Sequence, residues 1–397
     1  LESKSCFDAV IVGGALVGAA AARALAGERI ALVAAERAPA VPADVSAASF
    51  DSRIYALSPA NAAFLDRLGA WPAVPEALRA PVRAMRVHGD DGASKIEFDA
   101  YRSGVPELAW IVEDRRLQAA LWHGLEGQSG LTVFAGSPVR DLDAGGEGAR
   151  LTLEDGRELR AYLVVGADGA RSRIRDAAGL AGDAQEYGQT AVVANFACAR
   201  PHRGVAFQWF QGARRGGAVL ALLPLPGEHV SMVWSVPAAE AARLLALDAA
   251  ALAREVALAS GDAVGELAVV TPARGFPLQR LAAGRLVAPR VALAGDAAHV
   301  VHPLAGQGAN LGLQDACVLA QVLRAREPGR DPGDLRLLRR YERARAEAIL
   351  AMRSTVHGLY RLFGAPGTTA ARLRNAGLNL ADRLPVLKNL LMRHAMG

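Results

Sequence analysis

The stretch Asp8-Ala-Val-Ile-Val-Gly13 runs directly into Gly13-Gly14-Ala15-Leu16-Val17-Gly18, and an alanine-rich segment continues to Leu25. A short apolar run closed by glycine suits a buried parallel strand. Glycine at the first position of the turn allows a tight reversal, and glycine at the last lets a helix pack closely on the strand. The helix N-terminus then offers amides and a positive dipole end to phosphate. Ala15 stands where the G-x-G-x-x-G fingerprint has its middle glycine, one methyl larger at the point where backbone approaches a pyrophosphate. A second strand, Ile30 to Val33, leads to Glu36 and Arg37. A carboxylate at that place accepts hydrogen bonds from a ribose 2′-hydroxyl. Strand, turn, helix, strand and acid together predict the start of a doubly wound α/β fold with a dinucleotide site.

Composition sets the outer bounds. The chain has 397 residues, 52% hydrophobic and 21% charged, with a mean hydropathy of +0.16, which excludes a disordered chain. At ~150 residues per domain, this length predicts two or three domains or one large domain with insertions. Three cysteines, Cys6, Cys198 and Cys317, exclude a disulfide scaffold and fit a reducing compartment. Cys198 and Cys317 sit in apolar surroundings and read as inert thiols. The net charge is +5, but the arginines are interleaved with acids, so no nucleic-acid partner is expected. No stretch reaches the ~20 apolar residues of a spanning helix. The N-terminal residues hold no apolar signal core, so the expectation is a cytoplasmic chain, with peripheral membrane contact left open.

The middle of the chain changes character. Ala191 to Ala197, Val205 to Phe210, Ala218 to Leu223 and Val230 to Val236 are apolar runs separated by turn clusters, which predicts antiparallel strands. Phe196, Trp209, Phe210 and Trp234 in these runs fit either the wall of a substrate cavity or a plain sheet core.

Two later motifs end strands in acid and glycine. Val164-Val-Gly-Ala-Asp168-Gly169-Ala-Arg171-Ser172 is the first and is weak alone, since Asp-Gly marks turns generally. The second runs from Leu293-Ala-Gly295-Asp296 through His299, His302, Pro303, Gly306 and Gln307 to Gly308-Ala309-Asn310 and Asp315. A helix from about Asn310 to Arg324 would aim the amides of Gly308, Ala309 and Asn310 at developing negative charge. His299 and His302 lack the carboxylate companion of a zinc motif, so no metal is expected and a structural role is the simpler reading. A long helix from Asp334 to about Leu362 carries Arg339, Arg340, Arg343 and Arg345, read as a solvated face.

The order of these three motifs resembles the flavoprotein aromatic hydroxylases of the para-hydroxybenzoate hydroxylase type. His302-Pro-Leu-Ala-Gly-Gln-Gly-Ala-Asn-Leu-Gly-Leu-Gln-Asp315 resembles the signature of the ubiquinone-biosynthesis hydroxylases among them. Asp51-Ser-Arg53-Ile-Tyr-Ala-Leu-Ser58, the Trp209-Phe210 and Ala221 to Pro226 hairpin, and the C-terminal Arg374 to Leu378 and Lys388 to Gly397 segments extend the likeness end to end.

The resemblance implies FAD as cofactor, NAD(P)H as reductant and O2 as co-substrate. It implies oxygen transfer through a flavin C4a-hydroperoxide to the ring of a hydrophobic phenol, a polyprenylated ubiquinone precursor. It implies that Gly13, Ala15 and Gly18 lie against the pyrophosphate and Glu36, with Arg37 beside it, at the adenosine ribose. Arg53, Arg115, Asp168 and Asp296 would serve the rest of the flavin nucleotide. Pro303, Gly306, Gly308, Ala309 and Asn310 would flank the isoalloxazine, where the reaction occurs. Phe196, Trp209, Leu222 and Pro224 are the expected substrate-lining set. Asp114 departs from the pattern, because relatives carry an amide there and an ionised acid cannot donate a hydrogen bond.

The implied organisation is a discontinuous Rossmann-type FAD domain in three pieces, 5–85, 111–185 and 286–365. An antiparallel-sheet substrate domain would take 86–110 and 186–285, and a C-terminal helical segment 366–397. That last segment alternates leucines with arginine and lysine at helical spacing, which fits a membrane surface, a biosynthetic complex or the chain's own core. Two other readings stand beside this one: a hydroxylase of small phenols or polycyclic metabolites, and a flavin-binding scaffold without turnover.

Overall fold

The computed structural model describes residues 6–41, 44, 46–125, 127–212, 215–302 and 306–364. Pro303 and the segment 366–397 lie outside the described residues. The fold is α/β, built on two large sheets joined by a small one.

In the first sheet the strands run in the order Val287–Ala288, Val291–Leu293, Glu158–Gly166, Cys6–Val12, Ile30–Ala34, Leu131–Ala135. The last five of these pair in parallel. Residues 9–12, Ile30–Ala34, 163–166 and Val291–Leu293 are buried on both faces, as a helix-covered parallel sheet requires, while Glu158, Arg160 and Thr132 reach solvent. The Val139–Gly145 and Gly148–Leu153 hairpin adds to it antiparallel. Helix Leu16–Ala24 is mostly alanine, and it packs against the helices Asp114–His123 and Gly308–Arg324.

The second sheet runs His299–Val300, Arg274–Ala282, Asp183–Cys198, His229–Pro237, Val219–Leu225, Val205–Phe210, Ala84–His88, Lys95–Asp99. All its neighbours are antiparallel except Val205–Phe210 with Ala84–His88. Alternate residues on one face, Val192, Phe196, Leu220, Leu222, Met232 and Trp234 among them, form a core with the helices Ala238–Leu245 and Ala249–Ala259. The small sheet of Ile54–Leu57, Ala109–Glu113 and Ala80–Val82 sits at the junction.

The long helix Leu335–Gly364 is tied down by a buried charge cluster. Asp334 caps it, accepting from the amides of Arg336 and Leu337 at 2.7 and 3.2 Å. Tyr341 donates to the Leu293 carbonyl at 2.8 Å. Arg345 is only 3% exposed and donates from Nε to Asp315 at 2.6 Å. Asp315 also accepts from the Gly295 amide at 2.9 Å and lies 2.7 Å from His299 Nε2. Burial alone would push the Asp315 carboxyl up, but His299 and Arg345 outweigh it and hold it below the usual carboxylate range. This corrects the solvated-face reading of the arginine run: Arg339, Arg340 and Arg343 are exposed, while Arg345, two residues beyond Arg343, turns inward on the helix.

Arg345→Met should therefore destabilise the protein by about 3–5 kcal/mol, because it strands a buried carboxylate. Arg343→Met should change stability by less than ~0.5 kcal/mol. Urea unfolding midpoints of the two variants check this, and equal midpoints would contradict it.

Candidate functional site

The strands Glu158–Gly166, Cys6–Val12 and Val291–Leu293 are parallel, and the first pairs with both of the others. Their C-terminal ends therefore lie on one edge of the sheet, and the turns after them meet although they are more than a hundred residues apart in sequence. Backbone bonds fix the meeting: Ala167 donates to Val12 at 2.8 Å and Ala294 to Gly166 at 2.9 Å. Gly13 has φ +115°, and a Cβ there would lie 2.1 Å from the Ala167 carbonyl oxygen. A Cβ at Gly18 would lie 1.8 Å from the Gly13 carbonyl oxygen. These two glycines are demanded by close backbone approach. Ala15 has an ordinary φ of −75° at the head of the helix, so its methyl costs no backbone strain.

A cavity of about 1240 Å³ opens on this edge and extends to the second sheet. It exceeds the roughly 300–1000 Å³ of a usual small-ligand pocket, which leaves room for a dinucleotide and a second molecule. Gly13, Ala15, Glu36, Arg37, Arg53, Asp168, Asp296, Gly306, Gly308 and Ala309 all line it. The helices Leu16–Ala24 and Gly308–Arg324 both begin at this cavity with no side-chain cap and no acid in the first turn. A Cβ added at Gly308 would meet none of the described residues within 4 Å. Two uncapped helix N-termini on one open cavity fit an anionic, planar nucleotide cofactor.

The carboxylates in the wall are poorly solvated. Burial pushes Asp296 up, with His299 and Arg53 opposing. Burial likewise pushes Asp168 up, against bonds from the Ser172 hydroxyl and the Ile174 amide. Tyr55 also lines the cavity; its burial, and then the Asp114 charge, push its hydroxyl up, so it stays protonated. Asp114 itself is buried, 3.3 Å from Arg53 Nε, and accepts from Gln118. The acid that departs from the family pattern is thus answered by a cation in the cavity wall.

Other expected site residues lie elsewhere. Arg115 donates to the Ser49 carbonyl at 3.0 Å and stands behind the wall. Asn310 is 2% exposed; its side chain accepts from the Ser58 amide and donates to the Ala56 carbonyl, clamping the segment 56–58 to the helix start. The substrate-lining set needs correction. Phe196 and Leu222 belong to the helix-covered core, Trp209 packs against it, and Pro224 shares the parity of Leu222. The residues between them face the cavity: Ala191, Val193, Gln208, Ala221, Leu223, Val233 and Ser235. Side chains alternate along a strand, so a choice off by one residue selects the wrong face. Strand parity was the signal that could have found Gln208 and Ser235; choosing the largest aromatics selects the core instead.

His302 is buried beside Tyr187, with Nε2 3.1 Å from Gln189 Oε1. Burial lowers its pKa to about 4. An unfolded histidine titrates near ~6.5, so the native state resists a proton that the unfolded chain accepts. Its contribution to stability should be full above pH ~6.5 and drain away as pH falls toward 4. Melting temperatures of the protein and of His302→Gln check this: the variant should lose part of the slope in that window, and an unchanged slope would contradict it.

Comparison with known proteins agrees with this geometry. A family model described as the FAD binding domain matches residues 7–355. The ubiquinone hydroxylase UbiL of Rhodospirillum rubrum is 37% identical over 391 residues, covering 98% of this chain and 89% of that protein. The 3-demethoxyubiquinol 3-hydroxylase of Escherichia coli is 35% identical over 395 residues, covering 98% of each. Among solved structures PqsL, a probable FAD-dependent monooxygenase from Pseudomonas aeruginosa, has the same fold. Its TM-score is 0.75 at 23% identity, over 94% of this chain and 99% of that one. The strand-end turns, the uncapped helices and these likenesses agree: the chain belongs to the FAD-binding-domain family and, within it, to the ubiquinone-biosynthesis hydroxylases.

Proposed function

We propose that this protein hydroxylates the aromatic ring of a polyprenylated phenol on the route to ubiquinone. The observation that carries this reading is the continuity of one cavity from the nucleotide turns to an apolar chamber under the second sheet. FAD, reduced by NAD(P)H, supplies the oxygen atom taken from O2. In this reading the amides at Gly13 to Ala15 receive the pyrophosphate, with Glu36 and Arg37 at the adenosine end. Asp296 and Arg53 hold the ribityl side. The amides of Gly308 and Ala309, at the positive end of their helix, stabilise negative charge on the flavin ring. The apolar walls exclude water, which protects the reactive oxygen and lets the ring approach it. No side chain acts as a nucleophile.

A substrate with a long apolar tail is met at a membrane. Among the described residues no helix is long and apolar enough to cross one. We assign surface contact to the segment 366–397, where leucines alternate with Arg374, Arg383, Lys388 and Arg393. The protein would then work at the cytoplasmic side of the inner membrane, alone or in a complex.

The purified protein should be yellow, release FAD on acid precipitation, and consume NAD(P)H and O2 faster with a prenylated phenol than with the same phenol unprenylated. Equal rates would favour small phenols, and no consumption with either would favour the scaffold reading. Gly308→Val should keep the thermal stability of the flavin-free protein, since a Cβ there meets none of the described residues within 4 Å. The same variant should lose FAD binding and turnover, and normal turnover in it would contradict the helix-terminus role.

A further inference from the structure

The chamber at the second sheet is apolar and lightly filled. Ala191, Ala206 and Ala221 keep its floor low, and Val193 and Val233 complete it. Gln208 is set in this floor, paired across the strands with Ala221. The residue is only 6% exposed; its side-chain amide bonds no other described residue and is not sealed off, so it opens onto the cavity. A carboxamide carries two N–H donors and one acceptor oxygen. An amide that opens onto an apolar cavity is answered by whatever fills that cavity, so a ligand that displaces water there has to supply the partner. Among the described residues the cations in the wall, Arg37, Arg53, Arg171 and Arg173, come from the nucleotide side, and the sheet contributes none.

We propose that Gln208 anchors the substrate ring through its oxygen substituent, accepting from a phenol hydroxyl through Oε1 and donating to a ring oxygen through Nε2. The same arrangement selects a neutral phenol and rejects a ring that carries a carboxylate, because no cation on the sheet would answer that charge. This rests on the phenol reading above, and it adds the residue that orients the ring and sets its chemical class. Trp209 and Phe207, its neighbours in sequence, face the opposite side and pack with the helix-covered core.

The test is ligand binding to the FAD-loaded protein, read from the change in flavin absorbance with 2-geranylphenol and with its methyl ether. The wild-type protein should bind the phenol about tenfold more tightly than the ether, the worth of one buried hydrogen bond. Gln208→Leu, close in size, should retain FAD and bind both compounds alike, with the phenol weakened to the level of the ether. Gln208→Met serves if the leucine variant loses FAD. A variant that keeps the wild-type preference, or a wild-type protein with no preference, overturns the assignment of Gln208 and leaves the function standing. A wild-type protein that binds neither compound overturns the phenol reading and this one with it.

Discussion

The parallel pairing of Cys6–Val12 with Glu158–Gly166, and of Glu158–Gly166 with Val291–Leu293, is the constraint on which the rest depends. A parallel neighbour must be reached by a crossover, so the chain is free to leave the sheet and return. It uses that freedom to build a second sheet between the strands of the first. Because the strands point the same way, every return ends on the same edge, and each contributes a glycine-bearing turn to one place, two of them with an acid, Asp168 and Asp296. Ligands of open α/β sheets bind at such carboxyl ends. The site is therefore a consequence of strand direction, and the second sheet comes to rest as its roof.

The acidic end of that arrangement has to be held in place from behind. Asp315 does this from the helix Gly308–Arg324, bonding the Gly295 amide at the turn and Arg345 on the long helix. A buried carboxylate with these partners fixes one register between turn and helix, and a shift of either leaves a charge unpaired. Rigidity at this point keeps the uncapped amides of Gly308 and Ala309 aimed into the cavity. The clamp of Asn310 on Ser58 and Ala56 does the same from the other side. Residues that read in sequence as one signature thus divide into some that face the cavity and some that position them.

Local sequence chemistry made the nucleotide side legible. Gly18 is required by a contact within one turn and Gly13 by its own positive φ, and Glu36 and Asp296 stand at strand ends that short apolar runs mark plainly. What stayed hidden depends on partners distant in sequence. Nothing near Arg345 distinguishes it from Arg343; only the packing of two helices puts one on Asp315 and the other in water. The chamber was misread for a related reason. Both faces of the second sheet are buried, one by helices and one over the cavity, so apolar residues occupy both parities and the large aromatics fall on the helix side. Gln208 lies between Phe207 and Trp209, and its parity would have placed it only once the face of the cavity was known.

The proposed reaction brings a flavin and a phenol ring together in one cavity for oxygen transfer. Turnover of a prenylated phenol under isotopically labelled oxygen gas in ordinary water tests this most directly, with the product's mass read against NAD(P)H consumed. The expected result is one labelled oxygen atom on the ring of each product molecule and one NAD(P)H oxidised for it. A product carrying oxygen from water, or NAD(P)H oxidation that leaves the ring unchanged, would contradict it.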